Sequence, residues 1–162
     1  MRTFYPVLAT LMVIVTAYFT YMIINVLVTM IKAKRKDHSL KICLTTAGKA
    51  FYIIITILYI LLVIGGAAFG IHSALNGSNL YLNGISTVAL ASLLYAFQIA
   101  NIVLVGKKNI LIGRLLVDYR KMKKVDLNNR REMTFVYAQK SFSFSTRWVD
   151  IALLRRSISR RS

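Results

Sequence analysis

The residues able to do chemistry in this chain are few: two histidines (His38, His72), one cysteine (Cys43) and five acids (Asp37, Asp118, Asp126, Glu132, Asp150). A catalytic centre needs a nucleophile, an acid–base group or a metal within reach of one another. Here His38 lies in a basic segment and His72 at the far end of a long apolar run, which separates them across any membrane the run would span. His72 reads as an interfacial polar cap. Cys43 has no second cysteine for a disulfide and no partner at metal-ligand spacing. The acids are scattered through basic sequence, and no glycine-rich phosphate loop is present. The expectation is a non-enzymatic protein without cofactor or metal.

The abundant chemistry is cationic. Lys and Arg number 22 against the five acids, for a formal charge of +17. All but Arg2 of these cations fall in two blocks, Lys32 to Lys49 and Lys107 to Arg161. Such blocks bind anions, and a cation beside an anionic leaflet contributes about 1 kcal/mol, screened within a Debye length. Lys32, Lys34, Arg35, Lys36, Lys107, Lys108, Lys121, Lys123, Lys124, Arg155 and Arg156 are the candidate contacts to inner-leaflet lipid. Nucleic acid is the less suitable partner, because position beside a span makes phospholipid the nearer anion.

The elements that position these cations are membrane spans. The chain is 57% hydrophobic, above the roughly 45–50% of soluble domains. No Lys, Arg, Asp or Glu occurs from Thr3 to Ile31 or from Ala50 to Gly106. Apolar runs of that length cross a core of about 30 Å. Three spans are predicted, about Tyr5 to Ile31, Phe51 to Ile71 and Leu82 to Val105. The first run continues past the one weak cleavage site, Val15-Thr16-Ala17, and is read as a retained span and not a signal peptide. The loop from Lys32 to Lys49 is basic and the loop SALNGSNLYLNG carries no charge. By the positive-inside rule both basic blocks are cytoplasmic, with the amino terminus extracellular. Tyr5 and Tyr81 suit the outer aromatic belt. Asn76-Gly77-Ser78 matches a glycosylation acceptor but lies close to the membrane. Cys43 stands near a span, where palmitoylation occurs, and reads more simply as a reduced thiol.

Small residues mark where spans approach. Gly66, Gly70 and Ala74 share one face of the second span, and Ser92, Ala96 and Ala100 one face of the third; the two faces are predicted to pair within the hairpin, with homo-oligomerisation as the alternative use. Asn25 and Asn101 fall at matching depth, about 10 Å inside the cytoplasmic boundary by helix rise. With Gln98 they form a predicted polar network between the first and third spans.

The 56-residue tail from Lys107 carries 15 basic residues and four acids, a net charge of +11. Apolar groups recur in it, with turn chemistry at Asp126-Leu127-Asn128-Asn129. Two readings stand for 107–125. Leu111, Leu115, Tyr119 and Met122 fit a continuation of the third helix; Gly113 and the clustered β-branched residues favour strands. The strand reading gives three or four short strands and a helix from Trp148 to Ser157, N-capped by Ser145 or Thr146, with Val149, Ala152 and Leu153 on one side.

The succession NILIGRLLVDYRKMKKVDL, a turn, EMTFVYAQKSFSFS and an amphipathic helix resembles the later part of bacterial pleckstrin-homology-like modules attached to membrane hairpins. A full module of that kind has more strands and is longer, so the resemblance implies a reduced version. It also implies a role in immunity to membrane-active bacteriocins, and carries over no functional residue. The function expected is self-protection against a membrane-active peptide. The alternatives are an accessory subunit of a membrane transport or export complex, with the Gly66 face or the tail as docking surface, and a phage holin.

Overall fold

A computed structural model of the chain describes residues 4–127 and 132–159. Among the described residues three helices are long and apolar enough to cross a membrane: α1 (Phe4–Lys36), α2 (Thr46–Leu75) and α3 (Tyr81–Ile99). Seven strands and a last helix complete the order: β1 (Lys41–Ile42), β2 (Val103–Val105), β3 (Asn109–Ile112), β4 (Leu115–Asp118), β5 (Lys123–Asp126), β6 (Glu132–Tyr137), β7 (Lys140–Ser145) and α4 (Ile151–Ser159). The predicted turn after Asp126 lies partly outside the described residues, as does the side chain of Tyr5.

The chain divides into two compact units, Met1–Asn25 with Tyr52–Gln98, and Val26–Phe51 with Ile99–Ser162. In the first, α2 and α3 meet at glycines. A methyl added to Gly84 would sit 2.5 Å from the Gly66 carbonyl oxygen and 2.6 Å from the Gly70 backbone, while one on Gly66 would meet Val88 and Thr87. Gly66 and Gly70 thus lie on the face of α2 that meets Gly84 of α3, and Ser92 and Ala96, further along α3, are buried. Ala74 is exposed, and Ala100 lies past the end of α3.

The same pair of helices carries a polar ladder. Tyr52 Oη donates to the Gln98 carbonyl (2.9 Å), one of the last carbonyls of α3 and so without an intrahelical donor. Thr56 Oγ1 lies 3.1 Å from Tyr95 Oη, and Tyr59 Oη 3.5 Å from Ser92 Oγ. The Tyr59 and Tyr95 rings stack at 4.3 Å. Tyr52, Thr56 and Tyr59 recur every three or four residues, so one stripe of α2 faces one stripe of α3.

The third apolar helix ends at Ile99, short of the Val105 expected from the sequence. Val103, Leu104 and Val105 form β2, buried on both faces. Such a strand is apolar throughout and matches a span by hydropathy. Its neighbours settle its geometry: β2 pairs with β1 on one side and β3 on the other, in the order β1-β2-β3-β4, all antiparallel. Gly113, at φ +55°, opens the tight β3–β4 turn, and its N–H donates to the Ile102 carbonyl at 2.8 Å. A side chain there would collide with the Ala100 carbonyl.

A second antiparallel sheet, β5-β6-β7, packs with the first and with α4 around Cys43, Val103, Ile110, Val117, Phe135 and Leu154. Residues 107–126 are strands and a short 3-10 turn (Tyr119–Lys121), not a helical continuation. The opposite face of the first sheet packs Leu104 and Leu111 against Ala33 on α1 and Leu40 in the segment after it. Alternate residues of β2 and β3 therefore serve two cores, which explains why both strands lack polar positions in their middles.

Candidate functional site: a basic groove on a composite module

The β module is not confined to the tail. Its edge strand, Lys41–Ile42, comes from the segment between α1 and α2 and pairs with Val105 and Leu104. Cys43 N donates to the Val103 carbonyl (2.9 Å), Thr45 N to the Trp148 carbonyl (3.0 Å), and Asp150 N to the Cys43 carbonyl (3.3 Å). Trp148 stacks on Phe51, in the first turns of α2, at 4.7 Å between ring centroids. Gly48 lies directly beneath it: a Cβ there would be 2.6 Å from the Trp148 carbonyl oxygen.

Asp37 fastens the other end of the same segment. Its Oδ1 accepts from Ser39 N (3.0 Å) and Ser39 Oγ (2.5 Å), and its Oδ2 from Asn109 Nδ2 (3.3 Å). Ser39 Oγ accepts in turn from Lys107 N at 2.7 Å. The Ser39 hydroxyl, foremost among these donors, holds the Asp37 carboxyl below its ordinary range. Two other acids also serve as caps. Asp118 accepts from Arg120 N (2.9 Å), and Asp150 from Leu153 N (3.1 Å) at the start of α4.

Asp150 is thus the N-cap of α4 where Ser145 or Thr146 was expected. Ser145 Oγ accepts from Arg147 N and the Thr146 carbonyl from Val149 N, which shapes a turn ahead of the helix. The later start rotates the buried face. Leu154 is fully buried and Ile158 half-buried against the core, whereas Ala152 and Leu153 are exposed.

The predicted lipid contacts are all exposed, on several elements. Lys32, Lys34, Arg35 and Lys36 are on α1, Lys107 and Lys108 at the β2–β3 turn, Lys121 in the 3-10 turn, Lys123 and Lys124 on β5, and Arg155 and Arg156 on α4. One of them, Lys34, joins two cations outside that set, Lys41 and Lys49, around a groove of about 560 Å³. Lys49 adjoins the charge-free run that begins at Ala50, as Lys34 follows the one ending at Ile31. That shared position was the available signal for grouping them.

Of the residues of the predicted polar network, Asn25 lies on α1 and Gln98 on α3. Asn101 stands in the turn between α3 and β2, because α3 has already ended, and Gln98 contributes its backbone carbonyl to Tyr52. The Tyr52–Thr56–Tyr59 stripe was visible as a helical repeat of hydroxyls but was missed. Among the described residues no three His, Cys, Asp or Glu side chains cluster for a metal. His72 Nε2 lies 3.1 Å from Asn76 Nδ2 at the end of α2, and His38 is exposed.

Comparison with known proteins returned no matching family model, no matching curated protein and no matching solved structure.

Proposed function

We propose that this chain is a non-enzymatic multi-pass membrane protein that protects its own cell from a membrane-active peptide, with its basic module held on the anionic inner leaflet. The amino terminus is then extracellular and the carboxy terminus cytoplasmic, as the charge-free outer loop and the two basic blocks require. The observation that carries the reading is the composite module: β1, from between two apolar helices, is knitted into the sheet of the cationic tail. A body tethered to apolar helices through both segments brings exposed lysines and arginines toward the anionic headgroups, whose attraction for a cation decays within a Debye length.

The test is expression in bacteria sensitive to a panel of membrane-active peptides, with survival compared with and without the protein. Survival that rises for at least one peptide, and falls again when Gly48→Val disrupts the module, supports the proposal. Equal killing across the panel removes it.

A further inference from the structure

The groove at Lys34, Lys41 and Lys49 has a depth-dependent chemistry. Its floor is apolar and buried, made by Leu40 and Leu104. Its walls are exposed apolar side chains, Leu27 and Ile31 on α1 and Ile42 on β1, with exposures of 43%, 54% and 51%. Leu27 and Ile31 belong to the charge-free run of α1, and Lys34 follows one turn later. The groove thus passes from hydrocarbon-compatible to cationic within about 10 Å along the helix. Lys49 stands at the matching edge of the apolar run of α2.

Ile42 is the telling residue. It lies on a two-residue edge strand, outside any spanning helix, and half of it is exposed although it adjoins Lys41. An edge strand ordinarily shows charge to solvent. Here an exposed apolar side chain lines the groove next to Lys41. Among the described residues three cations and no acid line the groove, so the complementary occupant is anionic at one end and aliphatic at the other.

We infer that this groove binds one anionic phospholipid, with its phosphate between Lys34, Lys41 and Lys49 and its upper acyl chain against Leu27, Ile31 and Ile42. The inference rests on the proposal that the module faces an anionic leaflet, and it narrows a diffuse surface attraction to one site. Lipid retained there would hold β1 against the end of α1 and make the module part of the bilayer surface.

The experiment is native mass spectrometry of the full-length protein in detergent, titrated with phosphatidylglycerol and phosphatidylcholine of matched chains. The wild type is expected to retain one phosphatidylglycerol per chain in preference to phosphatidylcholine. Lys34→Gln/Lys41→Gln/Lys49→Gln is expected to lose that preference by about tenfold. Arg114→Gln/Arg120→Gln/Lys140→Gln, equal in charge and elsewhere on the module, retains it. Ile42→Gln weakens retention with the charge intact, and an unchanged thermal transition certifies the fold of each variant. An equal loss in both triple variants would overturn the site while leaving the surface reading intact. Absence of any preference in the wild type would overturn both. A lipid-free dimer that the groove variant abolishes would make a second copy the occupant and overturn the lipid assignment.

Discussion

Gly48 and Trp148, far apart in sequence, pack closely: the Trp148 carbonyl oxygen occupies the space a Gly48 side chain would need, 2.6 Å from where a Cβ would stand. This contact joins the start of α2 to the segment leading into α4. The Phe51 ring stacks on the Trp148 ring beside it.

Gly48→Ala is therefore expected to destabilise the module by about 1–3 kcal/mol, the ordinary cost of overpacking. Trp148 is the one tryptophan of the chain, so its emission reports the contact directly. A red shift and a lower thermal midpoint in nanodiscs are expected for Gly48→Ala and more so for Gly48→Val. An unshifted spectrum with an unchanged midpoint would show that the contact does not form.

The helix hairpin yields a contrast between two small residues of similar sequence context. Gly84→Leu must push α3 off Gly66 and Gly70, whereas Ala74→Leu adds a side chain at an exposed position. In dodecyl sulfate unfolding followed by circular dichroism, Gly84→Leu is expected to cost about 1–3 kcal/mol and Ala74→Leu close to nothing. Equal effects would place the contact face elsewhere.

How much of this was legible follows from how each element is buried. The helices α1 and α2 declare themselves by charge-free length, and β3, β4, β6 and β7 by short apolar groups between polar breaks. β2 does not, because a strand covered on both faces has the composition of a span end. β1 is only two residues long, and pairing so brief leaves no periodicity to find. Its membership became visible only through its partners Leu104 and Val105. The small-residue rule pointed to Gly66, Gly70 and Ser92, which lies against Tyr59 of α2, but gave no sign of Gly84, whose backbone meets both glycines. The groove escaped for a related reason: its three lysines come from α1, β1 and α2.

Asp37 gives the module an acid-sensitive latch. Its folded pKa lies below the ordinary 3.8, chiefly through the Ser39 hydroxyl. The unfolded chain then binds the proton more readily, so the latch stabilises fully above that unfolded value and is lost as pH falls through the folded one. The thermal midpoint is expected to drop below about pH 4 in the wild type. Asp37→Asn is expected to have a lower midpoint at neutral pH and a flatter acid limb. Parallel acid limbs in the two proteins would remove Asp37 from the latch.

The β6–β7 hairpin turns through Ala138 and Gln139, both left-handed at φ 48° and 63°. Each non-glycine residue in that region costs about 1–2 kcal/mol, and Asn-Gly is the preferred pair for such a two-residue turn. Ala138→Asn/Gln139→Gly is expected to raise stability by about 1 kcal/mol. The check is a thermal melt of the full protein, and a lowered midpoint would mean that the turn has other geometry.

Cys43 offers a chemical clock for the composite module. Its side chain is fully buried, and its Sγ donates to the Asp150 carbonyl at 3.4 Å. Burial, and next the Asp150 charge, push its thiol up to about 12. At pH 8 only about one thiol in ten thousand would then be the reactive thiolate. Alkylation by a maleimide is expected to be negligible in the folded protein and complete in dodecyl sulfate, so its rate in nanodiscs measures opening of the module. Val149→Ala, which thins the packing where Leu44 bridges Val149, is expected to accelerate alkylation while leaving the helices intact by circular dichroism. Rapid labelling of the wild type would show that the segment between α1 and α2 is not held in the tail's core, and with that the composite module would fall.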